Sequence, residues 1–259
     1  MAALAVVLAT LLAASGCGGG SGEGSSDPVD VVSHAGEQTA SMPTLRLILS
    51  ASSGQGSYEA RGLIEPHNGR FRVQLDEFSA PTSYAPHAVV GLEGEGFETT
   101  FEERVGEPFG DKGQVCWLNL HAPAGSALGT VSVEEGVRVT GAVLESLADE
   151  VDSAVLADGD AYNVTLSSSA AQPHNAFHGG EERVWGDREL LGQLDGPIEI
   201  TLSPEGTVNS IGLELADYQP YGGFGRPESD LIPHVTVEAT LAPTDERLRI
   251  DRPNCQAME

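Results

Sequence analysis

Basic residues are scarce in this chain of 259 residues. Against 39 Asp and Glu there are 13 Lys and Arg, which leaves a formal charge of −26 at pH 7. Lysine is nearly absent: Lys112 stands alone beside the arginines. A surface this acidic repels nucleic acid and anionic headgroups, so neither is an expected partner. Its plainest role is to keep an exported protein soluble. A single lysine also excludes lysine-based mechanisms everywhere else in the chain.

Long apolar runs are missing too. Ala2 to Ala14 is Ala, Val and Leu except for Thr10, which falls short of the ~20 residues a spanning helix needs. Catalytic and metal motifs are equally thin, with no HExxH, CxxC, Asp-rich calcium loop, GxSxG or SxxK in the sequence. Carboxylates are abundant, and for that reason no pair at glycosidase spacing stands out. We therefore expect no enzyme, no catalytic residue, no cofactor and no metal. One histidine pair deserves weighing: His174 and His178 lie four apart, with Glu181 and Glu182 behind them. That spacing shares a face on a helix. Pro173 and Gly179-Gly180 flank the pair and favour a loop with surface histidines.

Residues 1–16 have the length and apolar centre of a signal peptide, although Met1-Ala2-Ala3 carries no positive charge. Ala14-Ser15-Gly16-Cys17 reads as a lipobox: small residues that fit a peptidase cleft, then a thiol that accepts a diacylglycerol. Cys17 is thus the expected lipidation site and membrane anchor, with several acyl chains needed for stable attachment. The alternative is an ordinary cleaved signal with a chance cysteine. The glycine-rich stretch that follows, within residues 17–28, suits a flexible tether.

Three cysteines make a short calculation. With Cys17 committed to lipid, Cys116 and Cys255 remain as an even pair in an oxidising compartment, and we expect them to be bonded. Such a bridge closes a long loop, which in the chain-entropy model contributes roughly 4–5 kcal/mol.

About 230 residues then form the body, read here as one domain over 29–259. Val29–Met42 has helical spacing and ends at Pro43. Leu45–Ser50 is strand-like. Asn68-Gly69, between SYEARGLIEP and FRVQLDE, signals a type I′ hairpin turn, on which Leu63, Phe71, Val73 and Leu75 would share a buried face. The β pattern continues through residues 86–120. Val139–Asp149 reads as a second helix with Val143, Leu144 and Leu147 on one stripe. Asp158-Gly159 turns another hairpin. An irregular stretch follows, and four strands close the chain, the last being RLRIDRP. Gly222–Gly225 is not a phosphate loop, since no helix with a nearby lysine follows; Tyr218, Tyr221 and Phe224 would form a contact patch on a mobile surface loop. The count is about ten strands in antiparallel order with two or three helices.

This order resembles the LppX/LprAFG-type bacterial lipoproteins and, more loosely, the LolA/LolB carriers. The residues that carry the resemblance are QTASMPTLRLILSAS, YEARGLIEPHNGRFRVQL, VTGAVLESLADEVDSAVLADGDAYNVTL, IEITLSPEGTVNSIGLEL and RLRIDRP. The insertion from Ala170 to Leu194 and the Cys116/Cys255 pair depart from that pattern. The resemblance implies an α+β half-barrel: one strongly curved, mostly antiparallel sheet whose concave face is covered by helices. It also implies binding or carriage of a hydrophobic or acylated ligand in the cell envelope. Residues pointing inward from such a sheet, with the covering helix, would line the site: Phe71, Val73, Leu75, Val90, Phe101, Trp117, Val143, Leu144 and Leu147. The same residues equally suit a filled core, which would make the protein an envelope scaffold acting through its surface.

Overall fold

The structure is a computed structural model that describes residues 27–79, 88–92, 95–99, 117–119, 129–157, 159–171, 185, 188–218 and 231–250. Cys17, Cys116, Cys255, Phe101 and the His174/His178 pair lie outside these, as do Tyr221 and Phe224; so do the side chains of Leu92, 95–99 and 117–119.

The first helix, α1 (Pro28–Ala40), starts where the sequence supplies both a cap and a preset φ. Asp27 Oδ1 accepts from Val29 N at 3.0 Å, and Pro28 occupies the first turn. Then the period changes to two. In β1 (Leu45–Ser52), Leu45, Leu47, Leu49 and Ala51 are buried and the residues between them face outward. Next come β2 (Ser57–Glu65), β3 (Arg70–Ser79), β4 (Ala88–Leu92), β5 (Glu95–Thr99) and β6 (Trp117–Asn119). Helix α2 (Val133–Leu147) precedes β7 (Val151–Leu156), β8 (Ala161–Leu166), β9 (Ile198–Leu202), β10 (Val208–Tyr218) and β11 (Ile232–Pro243).

The eleven strands among the described residues form one sheet in the order β6-β5-β4-β3-β2-β1-β11-β10-β9-β8-β7, and every pairing in it is antiparallel. Its curvature follows from which strands the helices reach. Helix α2 packs on β1 and β4, α1 packs on β7 and β10, and the helices pack on each other. From β4 to β7 the order spans nine strands, about 38 Å if flat at ~4.8 Å per gap. Two touching helices, with axes ~10 Å apart, meet both ends only if the sheet bends around them. The fold is therefore α+β, with a curved open sheet holding its helices on the concave side.

Several sequence expectations need correction. Helix α2 begins six residues before Val139, at a capping box: Ser132 Oγ accepts from Glu135 N at 3.1 Å, and Glu135 Oε2 accepts from Ser132 N at 2.8 Å. Nor is α2 a one-sided cover, because nearly every residue of it is buried, Gly136, Thr140 and Gly141 included. The β2–β3 connection is not a type I′ turn. Pro66–Asn68 form a 3-10 turn and only Gly69 has positive φ, at 60°. Pro66 presets the first residue of that turn, and the Glu65 carboxylate gathers Asn68 Nδ2 and Arg70 at 3.2 Å each. Leu63 is half-buried on the outward side, opposite Arg72; Ile64, opposite Phe71, points into the core. Arg247–Ile250 of the expected last strand carries no ladder.

Candidate functional site

The concave face is the candidate site, and α2 runs through it. Phe71, Val73 and Leu75 enter it from β3, joined by Val89 from β4. Val143, Leu144 and Leu147 enter from α2 and are fully buried. These expected lining residues do come together in one apolar cluster with Leu45, Leu47 and Leu49. Val90 does not join them. It stands opposite Arg72, whose side chain is exposed, whereas Val89 stands opposite Val73. Val90 is therefore buried on the convex side, apart from the main core. For Trp117 only the backbone is described.

Toward the β2–β3 turn, the space between α2 and the sheet holds an indole that sequence reading left in an irregular stretch. Trp185 is 2 % exposed, donates from Nε1 to Pro66 O at 2.9 Å and stacks with Phe71 at 6.3 Å and 22°. Gly141 makes room for it: a Cβ there would lie 2.2 Å from Trp185 Cδ2. Phe71 in turn lies over Gly91, where a Cβ would come within 2.1 Å of its ring. Two glycines on facing walls thus seat a pair of stacked aromatic rings.

Three residues after Trp185, Arg188 is buried to 2 % exposure. Its Nη1 contacts Glu150 Oε2 at 2.8 Å, Ser146 Oγ at 3.1 Å and Ala170 O at 3.0 Å, while Nη2 contacts Glu145 Oε2 at 2.8 Å. Buried guanidinium in such company is satisfied by opposite charge, except that Nε has no partner. This cluster ties the segment carrying Trp185 to the C-terminal half of α2 and its exit.

At the opposite end of α2 lies a second polar group. Tyr218, expected on a surface loop, is instead the fully buried last residue of β10. Its hydroxyl donates to Glu135 Oε2 at 2.6 Å. Tyr58 donates to Ser132 O at 3.1 Å, over Gly136. Burial, and then the nearby Glu135 carboxylate, push both phenols well above their ordinary pKa. Both tyrosines therefore stay neutral donors. Glu135 is 7 % exposed, and its Oε1 has no hydrogen-bond partner; the same holds for Oγ1 of the fully buried Thr130. Glu135 was one acid among 39 in the sequence, marked only by its place in the Ser132-x-x-Glu135 box. No group of metal-ligating side chains occurs among the described residues.

No protein-family model matches this chain, and no curated protein matches it. Among solved structures it is similar to LprF from Mycobacterium bovis, at 10% identity over 88% of this chain and 97% of that one, TM-score 0.40. It is also similar to a LolA superfamily protein from Nitrosomonas europaea, at 11% identity over 85% and 95%, TM-score 0.28. A third similarity is to a porin-like protein from Bacteroides uniformis, at 8% identity over 79% and 97%, TM-score 0.22.

Proposed function

We propose that this protein binds or carries a hydrophobic or acylated molecule between the concave sheet face and α2. The observation that carries the reading is the seat of Trp185. Its ring comes from neither α2 nor the sheet, yet it sits between Gly141 and Phe71 with one hydrogen bond to Pro66 O. A side chain that fills an interface from outside it can leave without breaking the sheet ladder or the helix. The room it vacates lies between the Phe71 ring and the bare backbone of Gly141, which suits an alkyl chain better than a polar solute.

The test is uptake of a fluorescent fatty alcohol by the purified chain. Wild type is expected to bind with saturation, and Trp185→Ala to bind more tightly because the indole no longer competes. Lack of uptake by both proteins overturns the proposal. It would favour the scaffold alternative, in which the core is simply filled.

The anchoring scheme belongs to the same proposal. Cys17 carries the lipid, the expected tether of residues 17–28 gives way to α1 at the Asp27 cap, and residues 29–259 fold as one domain locked by Cys116–Cys255, within the cell envelope. No helix among the described residues is long and apolar enough to cross a membrane. Cys17→Ser should move the protein from the membrane fraction to the soluble fraction; continued membrane retention would refute the anchor.

A further inference from the structure

We infer that the polar group at the start of α2 is the subsite for the ligand's head, and that it selects a hydrogen-bond donor: a hydroxyl or an ammonium group. This rests on the carrier reading above and adds the chemistry of the molecule's polar end. Glu135 is more than nine-tenths buried, and its two oxygens are treated unequally. Oε2 receives Ser132 N at 2.8 Å and the Tyr218 hydroxyl at 2.6 Å, while Oε1 receives nothing. A buried carboxylate oxygen without a donor is costly. Thr130 adds a second unpartnered oxygen two residues before the helix cap, also buried.

The open Glu135 Oε1 can only accept, so the group that completes it must donate, while the Thr130 hydroxyl can either accept from or donate to the same head. A carboxylate or phosphate head would set its own charge against Glu135 in a low-dielectric setting. The overall charge of −26 points the same way. The surroundings are apolar enough for an amphiphile: Leu49 and the Tyr58 hydroxyl lie against Gly136, the residue after Glu135. A chain attached to that head would run along α2 toward Gly141 and the Trp185 seat, so the start of the helix would read the head and its middle the chain.

Binding of dodecanol, dodecylammonium and dodecanoate to the full chain at neutral pH tests this, using calorimetry with wild type and Glu135→Gln. Glutamine keeps an oxygen for Ser132 N and Tyr218 but turns an amide N–H₂ toward the open position. Wild type should favour the alcohol and the amine over the acid by about ten- to a hundredfold, the range for hydrogen bonds to charged groups. Glu135→Gln should abolish or reverse that order. Equal affinity for all three in wild type overturns the head subsite and leaves the carrier reading standing. A wild-type preference that persists unchanged in Glu135→Gln shows that the selection comes from elsewhere, such as the acidic surface, and also overturns it. Binding of none of the three removes the carrier reading itself.

Discussion

Replacing Gly141 with Ala should destabilise the protein when Trp185 is present and stabilise it when Trp185 is absent. An alanine Cβ at 141 would meet Trp185 at 2.2, 2.3 and 2.6 Å across three ring atoms. That distance cannot be absorbed without moving the indole off its hydrogen bond to Pro66 O or shifting α2. Overpacking of this kind costs about 1–3 kcal/mol, against which Ala gains about 1 kcal/mol over Gly in a helix interior. The net expectation for Gly141→Ala alone is a loss of about 0–2 kcal/mol. Trp185→Ala alone should cost about 3–5 kcal/mol, as large aromatic truncations do. In that background the clash is gone and only the helix gain remains, so the second change should recover about 1 kcal/mol. The coupling energy of the cycle is then about 1–3 kcal/mol, outside the ~0.5 kcal/mol scatter of independent sites. Urea unfolding followed by far-ultraviolet circular dichroism measures all four corners, with Trp185→Phe as the milder variant if Trp185→Ala fails to fold. Additive effects would show that the indole does not sit on Gly141.

Other consequences follow from the same contacts. Tyr58 and Tyr218 are neutral in the folded state with raised pKa. Their contribution is fully present below about pH 10, the value in the unfolded chain, and is lost as pH rises beyond it because only the unfolded chain deprotonates; the slope is about 1.4 kcal/mol per pH unit per tyrosine. Tyr218→Phe should therefore flatten the alkaline limb of a stability-against-pH curve, while costing about 1–3 kcal/mol at neutral pH from the donor removed from buried Glu135; an unchanged limb would refute the burial argument. Arg188→Ala removes one ion-pair partner of the buried Glu150 and of Glu145 together with the buried guanidinium, and should cost about 3–5 kcal/mol, seen as a drop in urea midpoint. Gly91→Val should displace the Phe71 ring and weaken its stack with Trp185, with lower thermal stability and altered Trp fluorescence as the readouts.

How much of this was legible beforehand differs by residue, for physical reasons. Leu45 to Ser50 was legible as a strand although apolar Ile48 faces outward, and the inward set of β3 followed from alternation. Alternation fails where two apolar residues are adjacent: Val89 and Val90 are equivalent by pattern, and only the register against Val73 and Arg72 decides which enters the core. The early part of α2 hid because Glu134, Glu135, Gly136 and Arg138 interrupt the apolar stripe. There the capping box was the better signal. Asn68-Gly69 pointed correctly to a reversal, but Pro66 shaped it as a longer turn with one left-handed residue. Tyr218, Trp185 and Arg188 were beyond local reading, since each is fixed by partners remote in sequence: Glu135, Gly141 and Pro66, and Glu145 with Glu150. Their burial is a tertiary fact.

Extraction of the purified, natively expressed protein with organic solvent, followed by mass spectrometry, tests the central claim most directly. The account predicts a stoichiometric amphiphile with an alkyl chain and a hydroxyl- or amine-bearing head, depleted from Glu135→Gln. Clean extracts from native preparations, together with no uptake of fluorescent fatty alcohol by wild type or Trp185→Ala, would contradict it.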